Sequence, residues 1–118
     1  MKIIALITLF FATVAAMADD AFVPYFGDVP LMQGLTESLD DRILFDTPAG
    51  TIAETVLIGK VAAKNITAFY HDSLTALGWS KIDNNTNHAG TAYVRDNDLL
   101  ILRIDAEGKL HLRLEPRT

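Results

Sequence analysis

Apolar and polar positions repeat with two different periods along this chain, and each change of period marks an element. The clearest alternation is Lys109-Leu-His-Leu-Arg-Leu-Glu115, with Leu110, Leu112 and Leu114 on one side and charged or imidazole side chains on the other. A period of two is the mark of a half-buried strand. Leu99 to Asp105 sets Leu100, Leu102 and Ile104 against Leu99, Ile101 and Arg103. Gly50 to Ile58 places Ile52, Val56 and Ile58 with Glu54 on one side, and Ala53, Thr55 and Leu57 on the other. Arg42–Phe45, Trp79–Ile82 and Thr91–Arg95 read as shorter strands. Between Val61 and Leu77 the period lengthens: Ile66, Phe69, Tyr70, Leu74 and Leu77 form one stripe at helical spacing. Gly78 ends that helix. With Leu77 as C-cap, Gly78 takes the left-handed conformation and Trp79 folds back toward Leu74, which is a Schellman ending.

Punctuation between these runs predicts hairpins. Asp46-Thr-Pro-Ala-Gly50, Asp96-Asn-Asp98 and Ala106-Glu-Gly108 are turn sequences, and Asp83 to Gly90 is a longer polar loop. Short connections demand antiparallel pairing. The order is β-β-α-β-β-β-β, and the expected class is α+β: one helix packed on an antiparallel sheet of four to six strands in a ββαβββ-like order. The helix covers one face. The second face is expected to carry Leu99, Ile101, Leu57 and Thr55, an apolar surface that asks for a cover.

Residues 19–41 have little regular pattern. Pro24, Gly27, Pro30 and Gly34 interrupt a stretch rich in Phe22, Tyr25, Phe26, Val29, Leu31, Met32 and Leu35. That is too apolar for a disordered tail. It reads as an extended apolar arm with a short helical turn near Leu35–Leu39, preceding an α+β domain over residues 42–118. The arm, or a second subunit, is expected to cover the second sheet face.

The first eighteen residues read as a signal peptide. Lys2 and the amino terminus form a positive start, an apolar run follows from Ile3 to Val14, and Ala16 and Ala18 stand where cleavage requires small residues. The run falls short of the roughly 20 apolar residues of a spanning helix. Cleavage after Ala18 leaves a mature chain starting at Asp19, periplasmic or secreted, with no stable membrane insertion.

Composition narrows the classes. The mature length suits one domain. There is no cysteine, so packing alone stabilises the fold, and thiol nucleophiles, iron–sulfur clusters and thiolate zinc sites are excluded. The formal net charge is −5, and Lys60 with Lys64 is the nearest thing to a basic cluster. Nucleic acid is therefore not an expected partner.

No catalytic constellation stands out. His111 lies on the outward side of its strand. His71 and Asp72 are adjacent on a helix and do not face one another. His88 sits in the polar loop without further metal ligands in view. Asp83, Asn84, Asn85, Asn87, Asp96 and Asp98 offer oxygens, but EF-hand spacing is absent and turn chemistry accounts for them. Asp40-Asp41 reads as a solvated pair. No G-x-S-x-G, S-x-x-K or phosphate-binding glycine loop occurs. Asn65-Ile-Thr67 and Asn84-Asn-Thr86 match the glycosylation pattern, which matters only in a eukaryotic secretory route. No cofactor or metal is expected. The ligand-binding candidates are Tyr70, Trp79 and Tyr93, which could line a pocket between helix and sheet.

Five segments occur in order: Asp28-Val-Pro-Leu-Met-Gln-Gly-Leu35, Phe45-Asp-Thr-Pro-Ala-Gly50, Phe69-Tyr70 followed by Leu74, Leu77-Gly78-Trp79, and Tyr93-Val-Arg95. Over nearly all of the mature chain they resemble a group of small exported proteins of alphaproteobacteria with no assigned activity. The resemblance implies a Gram-negative periplasm and brings no catalytic residues. The expected function is that of a non-enzymatic interaction module of the cell envelope. Its partner would be an unknown envelope protein, or a second copy bound through the second sheet face. The alternative is a small-ligand or lipid carrier.

Overall fold

The computed structural model describes residues 21–83 and 90–117. It is an α+β fold in which one helix packs on an antiparallel sheet. The strands are β1 (Thr36–Glu37), β2 (Ile43–Thr47), β3 (Gly50–Ile58), β4 (Ser80–Ile82), β5 (Thr91–Arg95), β6 (Asp98–Ile104) and β7 (Leu110–Pro116), and helix α1 spans Ala63–Ala76. The sheet runs β1-β3-β7-β6-β5-β4, with β2 also paired to β3. Seven strands exceed the expected four to six. The addition is β1, a two-residue strand in the stretch read as a helical turn; the turn itself is a 3-10 helix at Leu39–Asp41.

The helix end obeys the glycine rule. Gly78 has φ +93°. Its N–H donates to Thr75 O (3.1 Å) and the Trp79 N–H donates to Leu74 O (2.9 Å), the two bonds of a Schellman motif. Leu74 and Trp79 are both buried in the core. The N-terminus begins after Ala62 without a side-chain cap.

Register assigns the faces. Leu57 pairs with Leu110, Thr55 with Leu112 and Ala53 with Leu114. Directly opposed residues share a face, and Leu57, Leu110 and Leu112 pack with Ile66, Tyr70 and Leu74 of the helix in one core. Leu57 and Thr55 therefore lie on the helix side, not on the second face. Strand alternation separates the two sets, but only the pairing with β7 decides which set faces the helix. The second face instead carries Val56 beside His111, Glu54 beside Arg113, and Ile101 and Leu99 beside Arg113 and Glu115. It is apolar in the middle and laced with charge.

The N-terminal segment also goes to the helix side. Phe22 bridges Pro30, and Val23 N–H donates to Val29 O at 2.9 Å, closing a loop that buries Val23, Phe26 and Val29 in the same core as Tyr70 and Leu57. The expected cover for the second face thus packs beside the helix. Gly34 and Gly59 make this possible: a Cβ on Gly59 would lie 2.0 Å from the Gly34 carbonyl oxygen, so the backbone passes where no side chain fits.

Candidate functional site

Three places on the described residues could act on a ligand or partner. The first is a pocket of about 470 Å³ under the helix, within the range of small-molecule sites. Its walls include Ile66, Thr67 and Tyr70 of α1, Tyr93 of β5, Leu102 of β6 and Leu110 of β7. Tyr70 and Tyr93, two of the three candidate residues, thus line the same cavity. Trp79 is not a wall of this pocket: its ring lies under the Arg95 guanidinium, 4.5 Å from the centroid, and its indole N–H has no hydrogen-bond partner among the described residues.

The hydroxyls of the two tyrosines are already engaged. Tyr70 donates to Pro30 O (2.8 Å) and accepts from Met32 N–H (3.2 Å), which ties the N-terminal loop to the helix. Burial pushes its pKa up to about 12 against the backbone bond from Met32. Tyr93 Oη lies 3.0 Å from His71 Nδ1; burial raises its pKa, and the charge of Asp72 adds to the effect. What remains for a ligand is ring faces and aliphatic surface, with Thr67, Thr91 and the charged Arg103 also at the wall.

The second place is a shallower depression of about 490 Å³ on the open sheet face, with Arg103, His111 and Arg113 beside Val56 and Ile101. Its charges are largely paired. Arg113 is held by Glu54 and Glu115, and His111 donates from Nε2 to Asp105 Oδ2 at 2.8 Å. The Asp105 carboxylate also takes the N–H groups of Glu107 and Lys109. Foremost the bond from His111, and then that from the Lys109 backbone, holds its pKa at about 2. His111, on the outward side of its strand, is partly buried in this pair.

The third place is the β2 edge. Ile43, Leu44 and Phe45 are all exposed, on both sides of the strand, and Leu39 and Tyr25 stand exposed close by. The Arg42 guanidinium lies over the Tyr25 ring at 5.1 Å and binds Glu37 through Nε and Nη2. Glu37 also accepts from the buried Thr55 hydroxyl at 2.6 Å. Arg42 foremost, then Thr55, holds the Glu37 carboxyl below its ordinary value against the opposing effect of burial. This polar knot fixes the turn between β1 and β2 and thereby aims the edge strand. The sequence carries a signal for this surface: Arg42-Ile-Leu-Phe45 is a run, not an alternation, in a strand with only one neighbour.

His88, Asn84, Asn85 and Asn87 lie outside the described residues. Asp40 and Asp41 are exposed, with Asp41 accepting from Ser38 Oγ at 2.7 Å. Asp96 and Asp98 are exposed at the β5–β6 turn. Among the described residues no three His, Asp or Glu side chains converge as a metal set, and no helix is long and apolar enough to cross a membrane. Comparison with protein-family models, with curated proteins and with solved structures finds no match to this chain.

Proposed function

We propose that this chain is an exported, non-catalytic interaction domain, released into the periplasm after Ala18 and bound there to other proteins through the β2 edge. The observation that carries the reading is the exposure of Ile43, Leu44 and Phe45 on a strand paired only to β3 among the described residues, with Leu39 and Tyr25 beside it. An apolar sheet edge without lysine or proline is a template for another strand, and soluble domains ordinarily protect such edges. A photo-crosslinking residue placed at Phe45 in the exported chain tests the reading. Discrete protein adducts lost on Leu44→Lys are expected. Adducts that are absent, or indifferent to Leu44→Lys, would refute it.

The pocket between helix and sheet favours a second reading, a carrier of a small apolar ligand held against Tyr70 and Tyr93. Thermal shifts of the mature chain against lipids and apolar metabolites test it. A ligand raising the midpoint in wild type but not in Tyr93→Ala supports the carrier, and a flat panel removes it.

A further inference from the structure

We infer that the occupant of the β2 edge is the β2 edge of a second copy, paired antiparallel about a two-fold axis at Leu44. The inference rests on the interaction reading above and names its partner.

Backbone direction comes first. The Ser38 N–H donates to Val56 O, so the polar backbone groups of Val56 point toward the β1–β2 side of β3. Along a strand these groups alternate sides. Gly50, Ile52 and Glu54 share the direction of Val56, and their partners are Thr47, Phe45 and Ile43. The N–H and C=O groups of those three β2 residues are therefore used toward β3. Those of Leu44 and Asp46 point away from the sheet, onto the free edge. Arg42 adds only its C=O, since its N–H donates to Leu39 O.

Register comes next. A symmetric antiparallel pair must set outward-pointing residues opposite one another. With Leu44 opposite Leu44, the pair gains two bonds between the leucines and two from Asp46 N–H to the Arg42 carbonyls. Ile43 then stands opposite Phe45, an aliphatic–aromatic cross-strand pair. Arg42 stands opposite Asp46, opposite charges on the same face as Leu44. Arg42 binds Glu37 only through Nε and Nη2, which leaves Nη1 for an incoming carboxylate. Among the described residues Asp46 makes no ion pair and accepts a single side-chain bond, from Thr51 Oγ1, through Oδ1. Sliding the partner by two residues sets Leu44 against Asp46 in one direction and against Arg42 in the other. Only the Leu44-centred register matches apolar with apolar and charge with countercharge.

The chain has no cysteine, so single cysteines report the geometry cleanly. In a hydrogen-bonded antiparallel pair the opposed Cα atoms lie about 5.5 Å apart, inside the span a disulfide accepts. The mature chain carrying Leu44→Cys is expected to form a covalent dimer quickly under mild oxidation. Thr47→Cys, whose counterpart would lie roughly 20 Å away at ~3.4 Å per residue, should cross-link slowly. Sedimentation velocity on the mature chain without cysteine should show a concentration-dependent dimer, weakened roughly tenfold or more by Leu44→Lys, with far-ultraviolet dichroism confirming that the variant is folded. A wild-type chain that stays monomeric at millimolar concentration, or Leu44→Cys cross-linking no faster than Thr47→Cys, overturns the inference. If the photo-crosslinker at Phe45 then captures a different protein in a Leu44-dependent manner, the interaction reading survives without the dimer. If it captures nothing, both fall.

Discussion

Arg95 grips Asp28 through two parallel hydrogen bonds, Nη2 to Oδ1 at 2.8 Å and Nη1 to Oδ2 at 2.9 Å, across a sequence separation of 67 residues. The same guanidinium donates to the Leu77 carbonyl at 3.0 Å and covers the Trp79 ring. One side chain of β5 thus joins the N-terminal loop, the helix end and the core tryptophan. Removing it loses a partly exposed bidentate pair, worth at most ~1 kcal/mol, and a cation–π contact of comparable size. Arg95→Ala is expected to lower stability by about 1–2 kcal/mol in urea melts. It should also speed protease cutting within residues 21–31, because the loop loses its tie to the sheet. Equal cutting of the two proteins would mean that Asp28 does not hold the loop.

Gly78→Val forces a β-branched residue to φ +93°. A Cβ there meets only Arg95 Cδ at an ordinary 3.6 Å, so the cost is conformational and not a clash. Strain of this kind amounts to roughly 1–3 kcal/mol. The urea midpoint should fall visibly, and Gly78→Ala should fall less. Superimposable melts of wild type and Gly78→Val would show that this glycine is not a left-handed helix stop.

Much of the fold was legible because it is local. Gly78 and Trp79 announce the helix end through backbone chemistry confined to six residues. The alternation in Leu110, Leu112 and Leu114 is a strand whatever surrounds it. What escaped was long-range. Nothing in β3 alone tells whether Leu57 or Val56 meets the helix, because that choice is made by the pairing of Leu57 with Leu110. The loop around Phe26 lies beside the helix because Tyr70 and Arg95 bind it there, contacts spanning 40 and 67 residues. Of the candidate residues, Tyr70 and Tyr93 line one cavity because the helix stripe meets the neighbouring strand there, while the Trp79 ring lies under Arg95.

Tyr70→Phe isolates the tie between helix and loop. The ring and its packing stay, while Pro30 O and Met32 N–H lose the hydroxyl that serves both. Leaving such groups unsatisfied costs about 1–3 kcal/mol, and a loss in that range is expected in thermal or urea melts. The wild-type hydroxyl has a second signature. Its folded pKa of about 12 exceeds the ordinary value of 10.0, so its contribution is complete below pH 10 and lost as pH rises from 10 toward 12. Tyr70→Phe should flatten that alkaline decline, and an unchanged alkaline slope would show that the hydroxyl is not buried.

The acid side is set by carboxylates held below their ordinary values. Asp28 is lowered chiefly by its bonds from Arg95, Glu37 by those from Arg42, and Asp105 to about 2 by His111 and the turn N–H groups. A depressed folded pKa means that the unfolded chain takes up the proton first as pH falls. The stabilisation is therefore full above the ordinary carboxylate range and drains away as pH drops through it toward the folded values. For Asp105 that window runs from 3.8 down to about 2. Urea midpoints measured from pH 7 to pH 2 should stay level to about pH 5 and then fall. Asp105→Asn keeps an oxygen for the Glu107 and Lys109 N–H groups but carries no charge to His111 Nε2. It should start lower at neutral pH and fall less steeply between pH 4 and pH 2. If its acid slope equals that of wild type, the Asp105–His111 pair contributes nothing to the acid sensitivity of this fold, and Asp28 and Glu37 carry that response.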